Sequence, residues 1–103
     1  DRMPGDTADL LTLKSLRTLA AVAHAGSRTR AAAELGLAQS AVSRQLGELE
    51  KALGGPLFHR TGRGVQPTDL GTQLLPRIEA LLAEADDLTR TSRERSGMAS
   101  GMA

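Results

Sequence analysis

Apolar residues recur along this chain at helical intervals, in stretches divided by glycine. In the first, Leu13–Ala25, the residues Leu13, Leu16, Ala20 and Ala23 fall on one helical face, and Thr12 is placed to cap the first turn. Gly26 ends it. Ser27 can cap a second, short helix, Arg28–Leu35, whose Ala31, Ala32 and Ala33 combine strong helix propensity with side chains small enough for close helix approach. Gly36 then turns the chain into a third helix, Gln39–Leu53, where Val42, Leu46, Leu49 and Leu53 repeat at steps of four, three and four. Gly54, Gly55 and Pro56 stop it. Residues 57–60 and 65–66 are short strand-like pieces around a glycine-containing turn at 61–64, which predicts a small hairpin. Thr68 can cap a last helix reaching about residue 93, in which Leu70, Leu74, Ile78, Leu81, Ala85 and Leu88 alternate steps of four and three. At about 1.5 Å per residue it would be nearly 40 Å long, too long to lie wholly on so small a core. Pro76 inside it removes a backbone donor and crowds the Thr72 carbonyl, which predicts a bend or a local break.

The ends carry no such period. Residues 1–11, with Pro4 and Gly5, read as a flexible N-terminal tail, and the small-residue run SGMASGMA at 96–103 as a second flexible tail. The organisation expected is one domain at 12–67 followed by a linker helix within 68–95.

Composition narrows the fold class to mainly α. Alanine and leucine dominate the apolar residues, β-branched residues are few, and Phe58 is the only aromatic. The absence of cysteine excludes disulfides, thiolate metal sites and cysteine nucleophiles. No charged-then-apolar leader and no uninterrupted apolar run are found, so a cytoplasmic protein without membrane contact is expected. The net charge of +1 says little, but its distribution says more. Over 27–63, Arg28, Arg30, Arg44, Lys51, Arg60 and Arg63 stand against Glu34, Glu48 and Glu50, whereas over 69–90 five carboxylates stand against Arg77 and Arg90. The middle is basic and the later segment acidic, a pattern shared by nucleic-acid binders and by plain solvated faces.

The join between the second and third helices carries the functional signal. Ala32, Gly36 and Val42 supply the small contact, the tight turn and the buried aliphatic that a helix-turn-helix requires, though any tight helical hairpin could show this much. Opposite the Val42, Leu46 and Leu49 seam lie Ser40, Ser43, Arg44 and Gly47, with Gln39 at the helix start. Such a polar, short-chained, mildly basic face can enter a major groove, where glutamine pairs with adenine, arginine with guanine and serine with either. Ala38 has no oxygen to cap this helix, so its free N–H groups could meet a phosphate. Arg60 and Arg63 flank the hairpin tip, where a basic loop can follow phosphates or reach into a minor groove, with a structural role for Arg60 as the alternative.

Other chemistries find little support. His24 and His59 fall on different elements without spacing to carboxylates, which argues against an enzyme, and two histidines are too few for a metal site. The rival reading is a helical protein-interaction and dimerisation module without DNA binding, which the leucine stripe of the last helix supports equally well.

These residues resemble the LysR-type transcriptional regulators of bacteria. The resemblance covers about residues 13–82: GS at Gly26 and Ser27, T-x-A-A at 29–32, QSAVSRQ at 39–45, LE at Leu49 and Glu50, LG at Leu53 and Gly54, LFHR at 57–60, Arg63, and T-x-x-G at 68–71. It implies a winged helix-turn-helix: a three-helix core, a β-hairpin wing at about 57–66 and a long C-terminal linker and dimerisation helix. It implies sequence-specific binding of double-stranded DNA as a homodimer, with Gln39, Ser40, Ser43 and Arg44 on bases or phosphates, Ser27, Thr29 and Arg30 on the backbone, and Arg63 in the wing. The apolar residues Leu70, Leu74, Ile78, Leu81, Ala85 and Leu88 are the dimerisation stripe expected. Two departures stand out: Arg28 replaces a usually apolar or aromatic residue, and Leu19 a frequent phenylalanine, so looser packing is expected there. No cofactor is expected in this chain, a small-molecule effector being implied only for a C-terminal domain that it lacks. Operator, effector, direction of regulation, tetramer formation and contact with RNA polymerase stay open.

Overall fold

The computed structural model describes the backbone of residues 8–101 and the side chains of residues 9–95. The expected tails lie outside the described residues at 1–7 and 102–103. Within them the order is a short 3-10 turn at Ala8–Leu10, α1 (Leu13–Ala25), α2 (Arg28–Leu35), α3 (Gln39–Leu53), β1 (Phe58–Thr61), β2 (Gly64–Pro67) and α4 (Asp69–Gly101).

The first three helices keep the limits that the caps and glycines predict. The Thr12 hydroxyl accepts the Ser15 N–H at 3.0 Å, and Gly26, Gly36 and Gly54 close the three helices in the left-handed conformation, which only glycine adopts freely. The buried face of α1 differs from the expected one. It is Ser15, Leu16, Thr18, Leu19 and Val22, whereas Leu13 is 48% exposed and Ala20 and Ala23 sit at the edge of the core. The reason is that α1 is packed on by α2, α3, α4 and β2 together, so more than one stripe of it is covered. Leu19 is fully buried, and it shares the core with Val42, Leu46 and Leu49 of α3, Ala31 and Ala32 of α2, Leu57 and Phe58 beside the wing, and Ile78 and Leu82 of α4.

The wing is a two-stranded antiparallel hairpin pairing Phe58 with Pro67, His59 with Gln66, Arg60 with Val65 and Thr61 with Gly64. Three hydrogen bonds hold its base. The Val65 N–H donates to the Gly26 carbonyl, the Leu57 N–H to the Glu50 carboxylate and the Thr68 N–H to the Leu57 carbonyl, each at 3.0 Å. Two glycines permit these approaches: a Cβ at Gly64 would overlap the Gly26 carbonyl oxygen, and one at Gly71 the Leu57 carbonyl oxygen. Thr68 caps α4 as expected, accepting the Gly71 N–H at 3.1 Å while donating to the Pro56 carbonyl at 2.7 Å.

Three further expectations are corrected. The N-terminal tail is not structureless to residue 11, because Ala8–Leu10 turns against α3 and Leu11 packs on the core. Pro76 does not break α4, which continues through it; Thr72 and Pro76 are exposed, so water can take the carbonyl that loses its donor. The helix also does not end near residue 93 but runs to Gly101, since no proline follows and glycine lowers helix propensity by only about 1 kcal/mol without blocking the helix.

Candidate nucleic-acid interface

The geometry of α3 sets the site. Val42 and Leu49 have no exposed surface and Leu46 has 2%, so this helix is fixed in rotation about its axis by the core. The opposite side is thereby turned outward. Gln39, Ser40, Ser43, Arg44 and Gly47 are all exposed, and a Cβ at Gly47 would meet open space, so packing within the chain does not demand that glycine. Ala38 makes no side-chain cap, leaving the first amide N–H groups of α3 without a partner from it.

The turn before α3 is tight. Gly36 has φ of 69°, the Leu37 N–H donates back to the Ala32 carbonyl at 2.9 Å, and Ala32 and Val42 are both buried where α2 and α3 meet. A second brace joins α3 to α1, for Gln45 is half-buried with its side-chain amide hydrogen-bonded to the Thr18 hydroxyl. Neither this brace nor the Glu50 tether to the wing was expected from spacing. The LE pair and the second glutamine of QSAVSRQ were their only traces in the sequence.

Ser27 is half-buried and caps α2, its hydroxyl accepting the Arg30 N–H at 3.1 Å, and Thr29 and Arg30 are exposed on the first turn. Arg60 lies exposed on β1 and Arg63 at the hairpin tip. Of these residues, Ser27, Thr29, Gln39 and Arg60 come together around one open cleft of about 260 Å³, with Arg28 beside them. Ser40, Ser43 and Arg44 continue away from it along α3, while Arg30 and Arg63 do not line it.

Charge is divided between the two halves of the molecule. Among the described residues the ion pairs are Arg17 with Asp86 at 2.8 Å and Arg90 with Asp87 at 2.7 Å, all four on α1 and α4. None of Arg28, Arg30, Arg44, Arg60 and Arg63 is in either. The hydrogen bond from Arg17, and then its charge, holds the Asp86 carboxyl below its ordinary value. The described residues contain no group of three or more His, Asp and Glu suited to a metal, and no helix long and apolar enough to cross a membrane.

The stripe expected for dimerisation divides along α4. Ile78 is buried in the chain's own core, with Leu70 and Leu74 packed against it, and Leu82, which the stripe did not include, is buried as well. Only the later part faces outward: Leu81 is 54% and Leu88 69% exposed, with Ala85 half-buried between them.

Residues 13–72 match the family described as bacterial regulatory helix-turn-helix protein, lysR family. A small neutral protease regulatory protein of Streptomyces coelicolor is 48% identical over 83 residues, covering 81% of this chain and 25% of that protein. The HTH-type transcriptional regulator IlvR of Caulobacter vibrioides is 45% identical over 83 residues, covering 81% and 28%. The chain thus spans about a quarter of the length of the curated relatives it matches. Among solved structures, the BenM DNA-binding domain with catB site 1 DNA superposes with a TM-score of 0.78 at 32% identity, over 84% of this chain and 97% of that one. The DNA-binding domain of CbnR in complex with DNA does so with 0.76 at 31% identity, over 84% and 99%.

Proposed function

The chain belongs to the lysR family of bacterial regulatory helix-turn-helix proteins, and from that membership and the site's geometry we propose that it binds double-stranded DNA sequence-specifically, as a homodimer, to regulate transcription. In this reading α3 lies in the major groove with Gln39, Ser40, Ser43 and Arg44 against base edges and nearby phosphates. Ser27, Thr29 and Arg30 meet the backbone, and Arg60 and Arg63 bring the wing to the adjacent minor groove. The observation that carries the reading is the combination on α3 of a sealed apolar seam with an outward face that is polar, short-chained and, among the described residues, free of ion pairs. A helix built only for solvent has no need to be fixed so firmly while presenting Ser40, Ser43 and Gly47. The two similar domains solved with DNA support it.

The exposed Leu81 and Leu88 support pairing of two copies through the outer part of α4. Two bound copies would then read two half-sites about one helical turn or a multiple apart.

The same leucines favour the second reading, a helical interaction module without DNA binding. Salt separates the two. Binding to duplex DNA must weaken steeply as salt rises, because each neutralised phosphate contributes a slope of about −0.9 to log K against log salt, whereas leucine pairing is nearly indifferent to it. A steep loss is expected in a titration against random-sequence duplex. Failure to bind any duplex at low salt would leave only the interaction module.

A further inference from the structure

Arg28 is used neither by the outward face of α3 nor by the core. It is the first residue of α2, is half-buried, and lines the open cleft between the α1–α2 corner, the start of α3 and the wing. Its Nε is shut off from solvent and has no hydrogen-bond partner among the described residues. A guanidinium can only donate, and an Nε closed to solvent is closed equally to an occupant of the open cleft, so a bond from Arg28 to such an occupant comes from its terminal nitrogens.

The surroundings define what that oxygen belongs to. Arg60 lines the same cleft, neither arginine is in an ion pair among the described residues, and none of the lining residues is acidic. Two arginines thus line one small space whose lining holds no counter-charge. The Ser27 hydroxyl takes only the Arg30 N–H, so the amide N–H groups of Arg28 and Thr29 are not capped by it, and the uncapped start of α3 at Gln39 borders the cleft. Both helix starts add positive dipole ends. A tetrahedral anion that accepts several charge-assisted bonds at once fits this set of donors. Gln39 both lines the cleft and begins the polar face of α3, so an occupant here is continuous with a ligand lying along that face.

Resting on the DNA-binding reading above, we propose that the cleft seats one backbone phosphate of the bound duplex, and that Arg28 is a phosphate contact additional to those of α3 and the wing tip. A free inorganic phosphate would offer the same oxygens, and the test distinguishes the two.

The test uses the whole chain and the duplex it selects from random DNA. Arg28→Met keeps the aliphatic stem and removes the guanidinium. Its thermal midpoint should not fall, because an unsatisfied donor is lost, yet its affinity should drop about tenfold per bound copy on matched and scrambled duplexes alike. The salt slope should become shallower by about 0.9 per copy, with base preference unchanged. Neutral methylphosphonates placed one at a time along the duplex should reveal a position that weakens wild type and costs the variant nothing further. An unchanged slope and an unchanged methylphosphonate profile in folded Arg28→Met overturn the proposal. Should that variant not fold, the same scan on Arg28→Lys decides: lost sensitivity at the one position supports it, and a wild-type profile overturns it. Inorganic phosphate that raises the midpoint of wild type but not of Arg28→Met, with the DNA slope unaltered, would assign the cleft to the free anion and also overturn it. A wild type that binds no duplex sinks the DNA-binding reading and this contact together, whereas a binding wild type with an indifferent variant sinks the contact alone.

Discussion

In α3 the apolar seam of Val42, Leu46 and Leu49 is sealed within the chain, whereas in α4 the repeat divides: Leu70, Leu74, Ile78 and Leu82 face the chain's own core while Leu81 and Leu88 stand in solvent. The two helices share a periodicity and differ in length, 15 residues against 33. At about 1.5 Å per residue, α4 is about 50 Å long and outreaches the body it lies on. A repeat fixes which face is apolar, and the size of the neighbouring body fixes how much of that face one chain can cover. Charge follows the same division among the described residues, with the ion pairs gathered on α1 and α4 and the arginines around α2, α3 and the wing in none of them.

Substitutions in the two seams should break this contrast most strongly. Leu49→Ala empties a fully buried site and should cost about 2–5 kcal/mol, read as a shift of the denaturation midpoint at constant m-value. Leu88→Ala, at dilutions that keep the chain monomeric, should stay within about 0.5 kcal/mol. Equal costs would erase the distinction between the helices. Next in size is the outer part of α4. Replacing Leu81 and Leu88 together by glutamate should lower self-association by at least tenfold, since burial of each leucine is worth about 1.5–3 kcal/mol, while circular dichroism remains that of the folded chain. A dimer persisting by light scattering would place the pairing surface elsewhere.

The outward face of α3 should respond in binding and not in stability. Arg44→Ala is expected to lose about 1–3 kcal/mol of specific binding and to relax preference at one base pair, with an unchanged midpoint. Unaltered preference in competition assays would show that Arg44 does not reach a base. The smallest effect belongs to the exposed Arg17–Asp86 pair. The Asp86 carboxyl is held below its ordinary value of 3.8, so its contribution is present above that value and is lost as pH falls through the lower value of the folded chain. Asp86→Asn should therefore differ slightly from wild type at neutral pH and not at all in strong acid, and high salt should shrink the difference. A gap that persists in acid would mean that the substitution acts through packing.

Much of this was legible in the sequence, for reasons that particular residues make clear. The limits of α1, α2 and α3 follow from Thr12 and Ser27 as caps and from Gly26, Gly36 and Gly54 as left-handed stops, all local signals. The hairpin was legible as an element, with its strands found at 58–61 and 64–67 against 57–60 and 65–66 expected. The buried face of α1 was not, because which sides of a central helix are covered depends on neighbours distant in sequence. The reach of α4 was not, because no strong stop marks its end. The outward direction of Gln39, Ser40, Ser43 and Arg44 followed from the seam opposite them. That Arg28 would be half-buried with a bare Nε could not be foreseen, since a sequence shows a donor and not whether the fold gives it an acceptor.

Selection of binding sites from random duplex DNA, run side by side with wild type and Arg44→Ala, puts the outward face of α3 to the most direct trial. Wild type should enrich an inverted repeat with half-sites about one helical turn or a multiple apart, and Arg44→Ala should enrich the same repeat with one base pair in each half left free. Pools that remain as random as the input for wild type would contradict the assignment of that face to base edges.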